Sequence, residues 1–424
     1  MRRVTGAKAL RGLLVFAVSI TAPRAVLAQV ANDTLRLEQV LSIAGAMNPA
    51  LQAAVLGAEA SSERAAQSGA LPDPMLSLGL MNWAIDGFGP SEPMSLNSVQ
   101  LTQRFPWPGK LGFAADRERH LAQAQFFEAD ESQSRLLAQV KSAYFRLAQL
   151  DRAIQIALES RELLRNLLGV ASTRYAVGTG LQQDVLQAQV AVAQMTEDVT
   201  VMQQNRLAMA ARLNTLLGRA ATTTVGPVEF PTAPRQLPSV DSLMALATRQ
   251  RPALAAARER TLAAESATRA ARRALYPDLT VTVGYGQRPD YKDLATLMVG
   301  FTIPIWAGSK QKPLRREMQA LHSAAAARSA DLHNETFASL AELSAAAVRA
   351  GNLAELYATS ILPQARAAVE SALSAYRVGD VDYTTLVTHQ MTVNRYAIQR
   401  VQLIADHARA VAEIEALLGG RLGG

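Results

Sequence analysis

The residue types that most often carry out chemistry in proteins are scattered along this sequence. Its histidines follow no metal-ligand spacing, and they are His120, His322, His333, His389 and His407. No glycine-rich nucleotide loop, nucleophile elbow or metalloprotease helix motif occurs. Acidic residues on the helical stretches alternate with basic ones, as they do on solvated faces. The sequence therefore predicts a protein that is not an enzyme, and it indicates no metal site and no cofactor.

The N-terminal residues have the pattern of a secretory signal peptide. Basic residues precede a short apolar run at 13–20, and Val26-Leu27-Ala28 offers a small-residue cleavage site before Gln29. A membrane anchor is the competing interpretation, but the apolar run is too short to span a bilayer comfortably. We therefore predict a signal peptide at 1–28 and an exported mature chain.

The formal charge of +7 belongs largely to this N-terminal segment. Removing residues 1–28 removes five basic residues and no acid, which leaves +2. No basic cluster interleaved with aromatic side chains occurs, so the charge does not indicate a nucleic-acid partner. The sequence contains no cysteine, which excludes disulfides, thiolate metal sites and a lipidated cysteine.

The chain repeats one pattern twice at an offset of about 200 residues. The matching segments, in order, are NPAL at 48–51 with RPAL at 251–254, PWPGK at 106–110 with PIWAGSK at 304–310, and RYAVG at 174–178 with AYRVG at 375–379. A proline-rich stretch between the halves is too rich in proline to be helical. We predict a first repeat at 29–219, a linker at 220–238 and a second repeat at 239–424.

Each half is predicted to contain the same elements. A first helix covers about 37–70 and again 240–274, and two strands follow it. A very long helix comes next, at about 110–175 and 310–376, and a glycine turn then leads into a returning helix. A helix over 110–175 is about 100 Å long at 1.5 Å per residue. Its apolar residues at three-and-four spacing, such as Leu137, Val140 and Tyr144, predict a seam like that of a coiled coil.

The predicted strands alternate strictly between apolar and polar or small residues. Leu279, Val281, Val283 and Tyr285 alternate with threonine and glycine, and the other three strands follow the same period. A soluble hairpin packed on a helix is the alternative, but apolar-out and polar-in alternation in an exported chain favours a transmembrane barrel. Four strands cannot close a barrel, and an open edge in lipid is costly. The chain is therefore expected to oligomerise.

This combination of features resembles the TolC-like outer-membrane efflux channel family over essentially the whole mature chain. RYAVG at 174–178 and YRVG at 376–379 resemble the family's helical tip hairpins, and QRFPWPGK at 103–110 resembles the strand-to-helix junction of members that serve heavy-metal efflux pumps. The resemblance implies a mainly α-helical fold with membrane β-strands, built from two tandem repeats that each hold long coiled-coil-like helices and a β-hairpin. It also implies a homotrimer with a twelve-strand barrel in the lipid bilayer of the cell outer membrane, above an α-helical periplasmic tunnel.

The resemblance further implies partners and contact residues. The channel would be a passive duct docked to a periplasmic adaptor protein and an inner-membrane RND-type pump. The tips would meet the adaptor, and their residues are Arg174, Tyr175, Gly178, Thr179, Gly180, Arg377, Gly379, Asp380 and Asp382. The strand-helix junctions hold Pro106, Trp107, Gly109, Pro304, Trp306 and Gly308, where proline ends a strand and tryptophan suits a membrane interface. For the junction residues, a packed corner without chemistry is the simpler interpretation.

The predicted tunnel entrance differs from that of TolC itself. TolC carries acids just inside its second tip hairpin, whereas the matching residues here are Thr385 and Thr388, which are uncharged. Asp184 keeps the acid of the first hairpin. Repeated by symmetry, Asp184, Asp380 and Asp382 could supply acidic rings that attract cations, although Asp184 also suits the first turn of a helix.

Three functions remain open from the sequence. The first is an efflux channel for small solutes, with heavy-metal cations favoured over drugs. The second is a channel for polypeptides exported by type I secretion. The third, from another class, is a periplasmic coiled-coil structural protein that never enters a membrane.

Overall fold

The computed structural model describes residues 35–86, 92–231 and 236–422. The predicted signal peptide at 1–28 and the middle of the first strand-to-strand loop lie outside the described residues.

The two halves of the chain have the same order of elements, except that the helix predicted at about 310–376 is interrupted by a π-helical turn in the second half. The first half contains α1 (Leu37–Met47), α2 (Pro49–Gly69), β1 (Met75–Met81), β2 (Leu96–Phe105), α3 (Lys110–Ala176) and α4 (Gln182–Leu216). The second half contains α5 (Val240–Gln250), α6 (Pro252–Arg273), β3 (Asp278–Gln287), β4 (Leu294–Thr302), α7 (Gln311–Leu356), a π-helical turn (Tyr357–Ile361), α8 (Leu362–Val378) and α9 (Tyr383–Leu418).

The first predicted helix of each half is in fact two helices, so that expectation was wrong. The chain breaks at Asn48 and again at Arg251, whose ψ angles are both 118°. Each of these residues precedes a proline, which disfavours the helical conformation of its predecessor. The Asn48 side chain accepts from the backbone N–H of Ala50 at 2.9 Å and of Leu51 at 3.1 Å, and it thereby caps α2.

The four strands form one antiparallel sheet in the order β1-β2-β3-β4. The two halves are thus joined by pairing between β2 and β3, where Leu101 lies opposite Val283. The register aligns Leu76, Leu101, Val283 and Leu297 across the sheet on one face. The opposite face carries threonine, serine, glycine and glutamine together with a few apolar residues, Met298 among them. The predicted alternation is therefore observed, and it continues across all four strands.

Within the described residues, the apolar face of the sheet has no helix packed over it. Leu78 is 75% exposed and Leu297 is 72% exposed, and Phe301 is exposed as well. Water-exposed apolar patches of this kind mark contact surfaces. The polar face is bonded internally, since the hydroxyl groups of Thr102 and Thr282 lie 2.9 Å apart.

The helices pack around a core near the middle of the chain's long axis. α1, α3 and α4 surround Val40, Tyr144 and Leu213, all of them buried. The predicted linker packs against this core through Val225 and Val228. Its backbone also pairs with the first described residue, because the N–H of Leu35 donates to the carbonyl of Pro227 at 3.0 Å.

Among the described segments, no single helix is both long and apolar enough to cross a membrane. The pair formed by α1 and α2 meets the criteria of length and composition together, but its two helices are bent by 47°.

Candidate functional site

The two helical hairpins end in glycine turns, as predicted. Gly178 has a φ of 78° and Gly379 a φ of 90°, a region that side chains with a Cβ rarely adopt. In the second hairpin, the N–H of Gly379 donates to the carbonyl of Tyr376 at 3.2 Å, and that of Asp380 donates to Ala375 at 3.0 Å. These bonds satisfy the last carbonyls of α8 and reverse the chain.

The first hairpin reverses the chain through a second glycine as well. The N–H groups of Thr179 and Gly180 both donate to the carbonyl of Arg174, at 2.9 and 3.0 Å. A Cβ on Gly180 would lie 2.9 Å from the Cβ of Arg174, which is closer than two side-chain carbons approach. The turn therefore needs glycine at this second position as well.

Arg174 joins the two hairpins to each other. Its guanidinium donates to the backbone carbonyl of Tyr376 and lies 4.9 Å from the centre of the Tyr376 ring. The cation and the ring attract each other in this geometry. Among the residues predicted at the tips, Arg174 is thus the one that connects the first repeat to the second.

Two buried tyrosines fill the space between the tip helices. The rings of Tyr376 and Tyr383 meet edge to face, 5.6 Å apart, and both residues are buried. Burial raises the pKa of Tyr376, and the charge of Asp184 raises it further while Arg174 opposes the shift. The pKa of Tyr383 is also raised, chiefly by burial and further by electrostatic interaction with Tyr376 and Asp184. Both hydroxyl groups therefore stay neutral at physiological pH.

Tyr383 was not among the predicted site residues. It is fully buried, yet its hydroxyl oxygen has no hydrogen-bond partner within the described parts of the chain. A buried, unpaired hydroxyl costs stability, so such groups are uncommon in packed cores. In the sequence, Tyr383 directly follows the predicted turn. An aromatic residue at that position is the one signal that could have identified it.

The predicted entrance residues have different surroundings. Asp184 lies in the first turn of α4 and is half-buried beside the tyrosines. Thr385 donates its backbone N–H to the carboxylate of Asp382 at 3.0 Å, which makes Asp382 the cap of α9. The hydroxyl of Thr388 donates to the carbonyl of Thr384 at 2.7 Å. Both threonines thus bond within their own helix end.

A groove runs between α4 and α9 next to the tips. It has a volume of about 490 Å³ and is lined by Leu186, Val190 and Val387 together with glutamines and threonines, Thr388 among them. The hydroxyl of Thr384 donates to the side-chain oxygen of Gln187 at 2.6 Å across it. This groove brings one predicted entrance residue from the second repeat next to the first repeat.

The first strand-helix junction is organised by Asp278, which sequence reasoning missed. The Asp278 side chain is 8% exposed and binds Arg104 at 2.7 Å and Lys110 Nζ at 2.6 Å. It also accepts the backbone N–H of Trp107 at 2.9 Å. An aspartate at the start of one strand therefore holds the end of another strand and the start of α3. The alternating pattern of the strand did not indicate this role of Asp278, because the residues that Asp278 binds lie more than 160 positions away in the sequence.

The predicted tryptophans are not equivalent. The ring of Trp107 is half-buried and stacks on Tyr276, with ring centres 5.2 Å apart. Pro106 ends β2 just before it, and Gly109, with a φ of 90°, precedes α3. The first junction therefore matches the simpler interpretation of a packed corner.

The second junction is open. Trp306 is 74% exposed and lies two residues after Pro304, in the turn that follows the end of β4. The N–H of Ala307 donates to the carbonyl of Pro304 at 3.1 Å, which begins a turn. A Cβ on Gly308 would meet no atom within 4 Å, so this glycine is not required by close packing.

No group of three or more histidine, aspartate or glutamate side chains converges as a metal site among the residues that the structure describes. One pairing of this kind joins His120 Nδ1 to Glu259 at 2.7 Å between α3 and α6. One imidazole and one carboxylate are too few ligands for a stable site.

Comparison with known proteins gives a consistent result. Residues 40–219 and 243–420 match the family model described as outer membrane efflux protein. No protein of curated function matches the chain in sequence. Among solved structures, CusC is similar with a TM-score of 0.80 and 16% identity, covering 92% of this chain and 94% of that one.

Two further structures are similar to a comparable degree. The outer membrane protein VceC from Vibrio cholerae has a TM-score of 0.77 and 18% identity, over 91% of this chain and 96% of its own. The MtrE outer membrane channel of Neisseria gonorrhoeae, in its open state, has a TM-score of 0.76 and 17% identity, over 91% and 89%. At such identities the likeness shows a shared fold.

Proposed function

Because this chain belongs to the outer membrane efflux protein family, we propose that three copies of it form the exit duct of a tripartite efflux system. The family places the chain in the outer membrane as a non-enzymatic channel with a tunnel towards the periplasm. Membership also removes the alternative of a periplasmic structural protein that never enters a membrane. The trimer, its pump and adaptor, and its cargo are the parts that we propose.

The observation that carries the trimer is the four-stranded sheet with an uncovered apolar face. Its outer strands, β1 and β4, have no neighbour on their outer edges within the described residues. In lipid, each backbone N–H or C=O group left unpaired at a strand edge costs roughly several kcal/mol. Another copy of the chain must therefore supply the partner strands. Three copies supply twelve strands, enough to close a sheet around a pore.

The length of α3 supports the tunnel. Its 67 residues extend for about 100 Å, a large part of the depth of a periplasm. The sheet lies at one end of this helix and the glycine turns at the other. A solute that enters at the tips would therefore leave through the sheet.

The adaptor contact is proposed at the tips. Around the two turns, Tyr175, Val177, Leu181 and Val378 are exposed apolar side chains. The predicted polar residues Arg377, Asp380 and Thr179 stand between them and are exposed as well. An apolar patch with a polar rim is the usual composition of a protein contact surface.

Heavy-metal cations are the cargo that we propose, ahead of drugs or secreted polypeptides. Support comes from the junction motif at 103–110 and from the carboxylates of Asp184, Asp380 and Asp382 near the tips. Threefold repetition would place nine carboxylates at the entrance, which favours cations.

Reconstitution tests the channel proposal. Purified protein should run as a trimer in detergent and form discrete conductance steps in planar bilayers. A variant with Leu78→Asp and Leu297→Asp on the apolar face should lose insertion, whereas Leu207→Asp, at an exposed position of α4, should retain it. A monomer without conductance would contradict the proposal. Metal tolerance of cells that lack or carry the gene then tests the cargo separately.

A further inference from the structure

The two ends of the sheet differ in charge. The end that adjoins the helices is formed by the segments 70–74, 104–112, 272–278 and 302–317. Because β3 starts where β4 ends, with Asp278 opposite Thr302, these segments must lie together. They contain eight basic and three acidic residues. We call this set of segments the basic collar.

The opposite end of the sheet has no such excess. Its described loop residues include the bases Arg288 and Lys292, and the acids there are Asp86, Glu92, Asp290 and Asp293. Asp293 also accepts the backbone N–H of Arg288 at 3.1 Å. The net positive charge is therefore confined to one edge of the apolar face.

Within the collar, six of the eight basic residues fall into two classes, and the remaining two, Arg272 and Arg273, lie at the end of α6. Arg104 and Lys110 both bind the carboxylate of the buried Asp278, which offsets one of their two positive charges. The other class lies at the start of α7 and consists of Lys310, Lys312, Arg315 and Arg316, all of them exposed. None of these four forms an ion pair with any residue that the structure describes.

These unpaired cations directly follow exposed apolar residues at the end of the apolar face. Phe301, Ile303, Ile305 and Trp306 precede them in sequence and are all exposed. An exposed tryptophan beside apolar side chains suits the boundary between hydrocarbon and water. Four cations immediately beyond such a boundary attract anionic lipid headgroups.

We infer that the start of α7 binds the phosphate groups of anionic phospholipids in the leaflet that faces the periplasm. Lys310, Lys312, Arg315 and Arg316 supply the charge, and Trp306 and Ile305 supply the apolar contact at the same depth. This contact fixes how deep the sheet sits in the membrane. The inference rests on the proposed function, since it assumes that the apolar face meets lipid.

The test uses the full mature chain in neutral detergent micelles, to which either phosphatidylglycerol or phosphatidylcholine is added. Tryptophan fluorescence on heating gives Tm. A ligand that binds the folded state raises Tm, so phosphatidylglycerol should raise Tm by several degrees more than phosphatidylcholine. High salt should reduce this difference, because it screens exposed charges.

Matched pairs of substitutions then locate the effect. R315Q/R316Q should lose about half of the phosphatidylglycerol effect, and K310Q/K312Q/R315Q/R316Q should lose nearly all of it. R328Q/R349Q removes two exposed arginines farther along the same helix and should keep the full effect. If the quadruple variant does not fold, R315Q/R316Q and K310Q/K312Q, measured separately, answer the question.

Three results would overturn the inference. The unaltered protein could respond equally to both lipids, or the collar variants could keep the full difference. The collar variants could also lose stability equally in both lipids, which would place these side chains at a contact with another copy of the chain. Planar-bilayer conductance of the same samples is read separately, so a failure of the channel proposal is recognised independently.

Discussion

Lys110, the first residue of α3, places its Nζ 2.6 Å from the carboxylate of Asp278, the first residue of β3. Arg104, at the end of β2, binds the other oxygen of the same carboxylate at 2.7 Å. One side chain from the second repeat thus fixes the point where the first repeat changes from strand to helix. The sheet of the two halves and the long helix are oriented together by this contact.

Replacing Asp278 with Asn should destabilise the junction. The substitution removes the charge that Arg104 and Lys110 share, and hydrogen bonds to charged groups are each worth about 1.5–3 kcal/mol. Because Arg104 is largely exposed, we expect a total loss near the lower part of that range, about 2 kcal/mol. Denaturant unfolding measures it. Asp73→Asn, at an exposed site nearby, should change little, and an equal loss there would contradict the role of Asp278.

Gly379→Ala should destabilise the second tip hairpin by about 1–2 kcal/mol, because a Cβ disfavours the left-handed conformation found there. Gly112→Ala is the matched control. It lies inside α3, where a Cβ would meet no atom within 4 Å, so alanine should stabilise the helix by about 1 kcal/mol. Thermal unfolding of both variants gives the comparison. Equal effects of the same sign would show that the turn does not need glycine.

Arg174→Gln should loosen the contact between the two hairpins. The substitution removes a charged donor to the Tyr376 carbonyl and the cation over its ring. Loss of roughly one such bond speeds local opening by about tenfold. Hydrogen–deuterium exchange of segments 174–184 and 376–386 measures this opening. Arg165→Gln removes an exposed arginine of the same helix and should leave exchange unchanged, and identical exchange in the two variants would exclude Arg174 as the link.

Acidification should weaken the start of α9. The hydroxyl and the backbone N–H of Thr385 bond to Asp382 and hold the pKa of its carboxyl below the usual value. The folded pKa is the lower one, so this stabilisation is fully present above the unfolded pKa of about 3.9 and is lost as the pH falls through the folded pKa. Protection of the Thr385 amide against exchange should decrease over that interval.

Asp382→Asn provides the control for the effect of pH. Asparagine also caps helices well but does not titrate. Protection of Thr385 in this variant should therefore be nearly independent of pH through the same interval. If the variant loses protection on acidification as the unaltered protein does, another group is responsible.

Removing charge at the tips should reduce cation passage. Asp380→Asn combined with Asp382→Asn removes two exposed carboxylates in each copy of the chain while keeping side-chain volume. We expect lower cation conductance and weaker cation selectivity in planar bilayers, since rings of acidic side chains favour cations. Glu162→Gln, an exposed acid farther up α3, is the control. Unchanged selectivity would remove these aspartates from the proposed filter.

Much of the fold follows from local sequence patterns. Period-two alternation in the strands, such as Leu279 to Tyr285, sets two faces because successive side chains of a strand point in opposite directions. Gly178 and Gly379 mark the tips because the turns need positive φ angles. Helix α3 begins and ends within about one residue of the predicted bounds. The breaks before Pro49 and Pro252 were missed, although the restriction that proline places on its predecessor was available in the sequence.

The sequence by itself therefore determined the duplicated order of elements, the two-sided strands and the places where helices reverse, since each depends on neighbours within a few residues. Only the tertiary structure decided which distant residues meet. It joined two hairpins into one sheet by pairing β2 with β3, it placed Asp278 against Lys110, and it set Arg174 on Tyr376. These contacts join residues about 170 to 200 positions apart. They depend on strand register and helix packing, which no local pattern encodes.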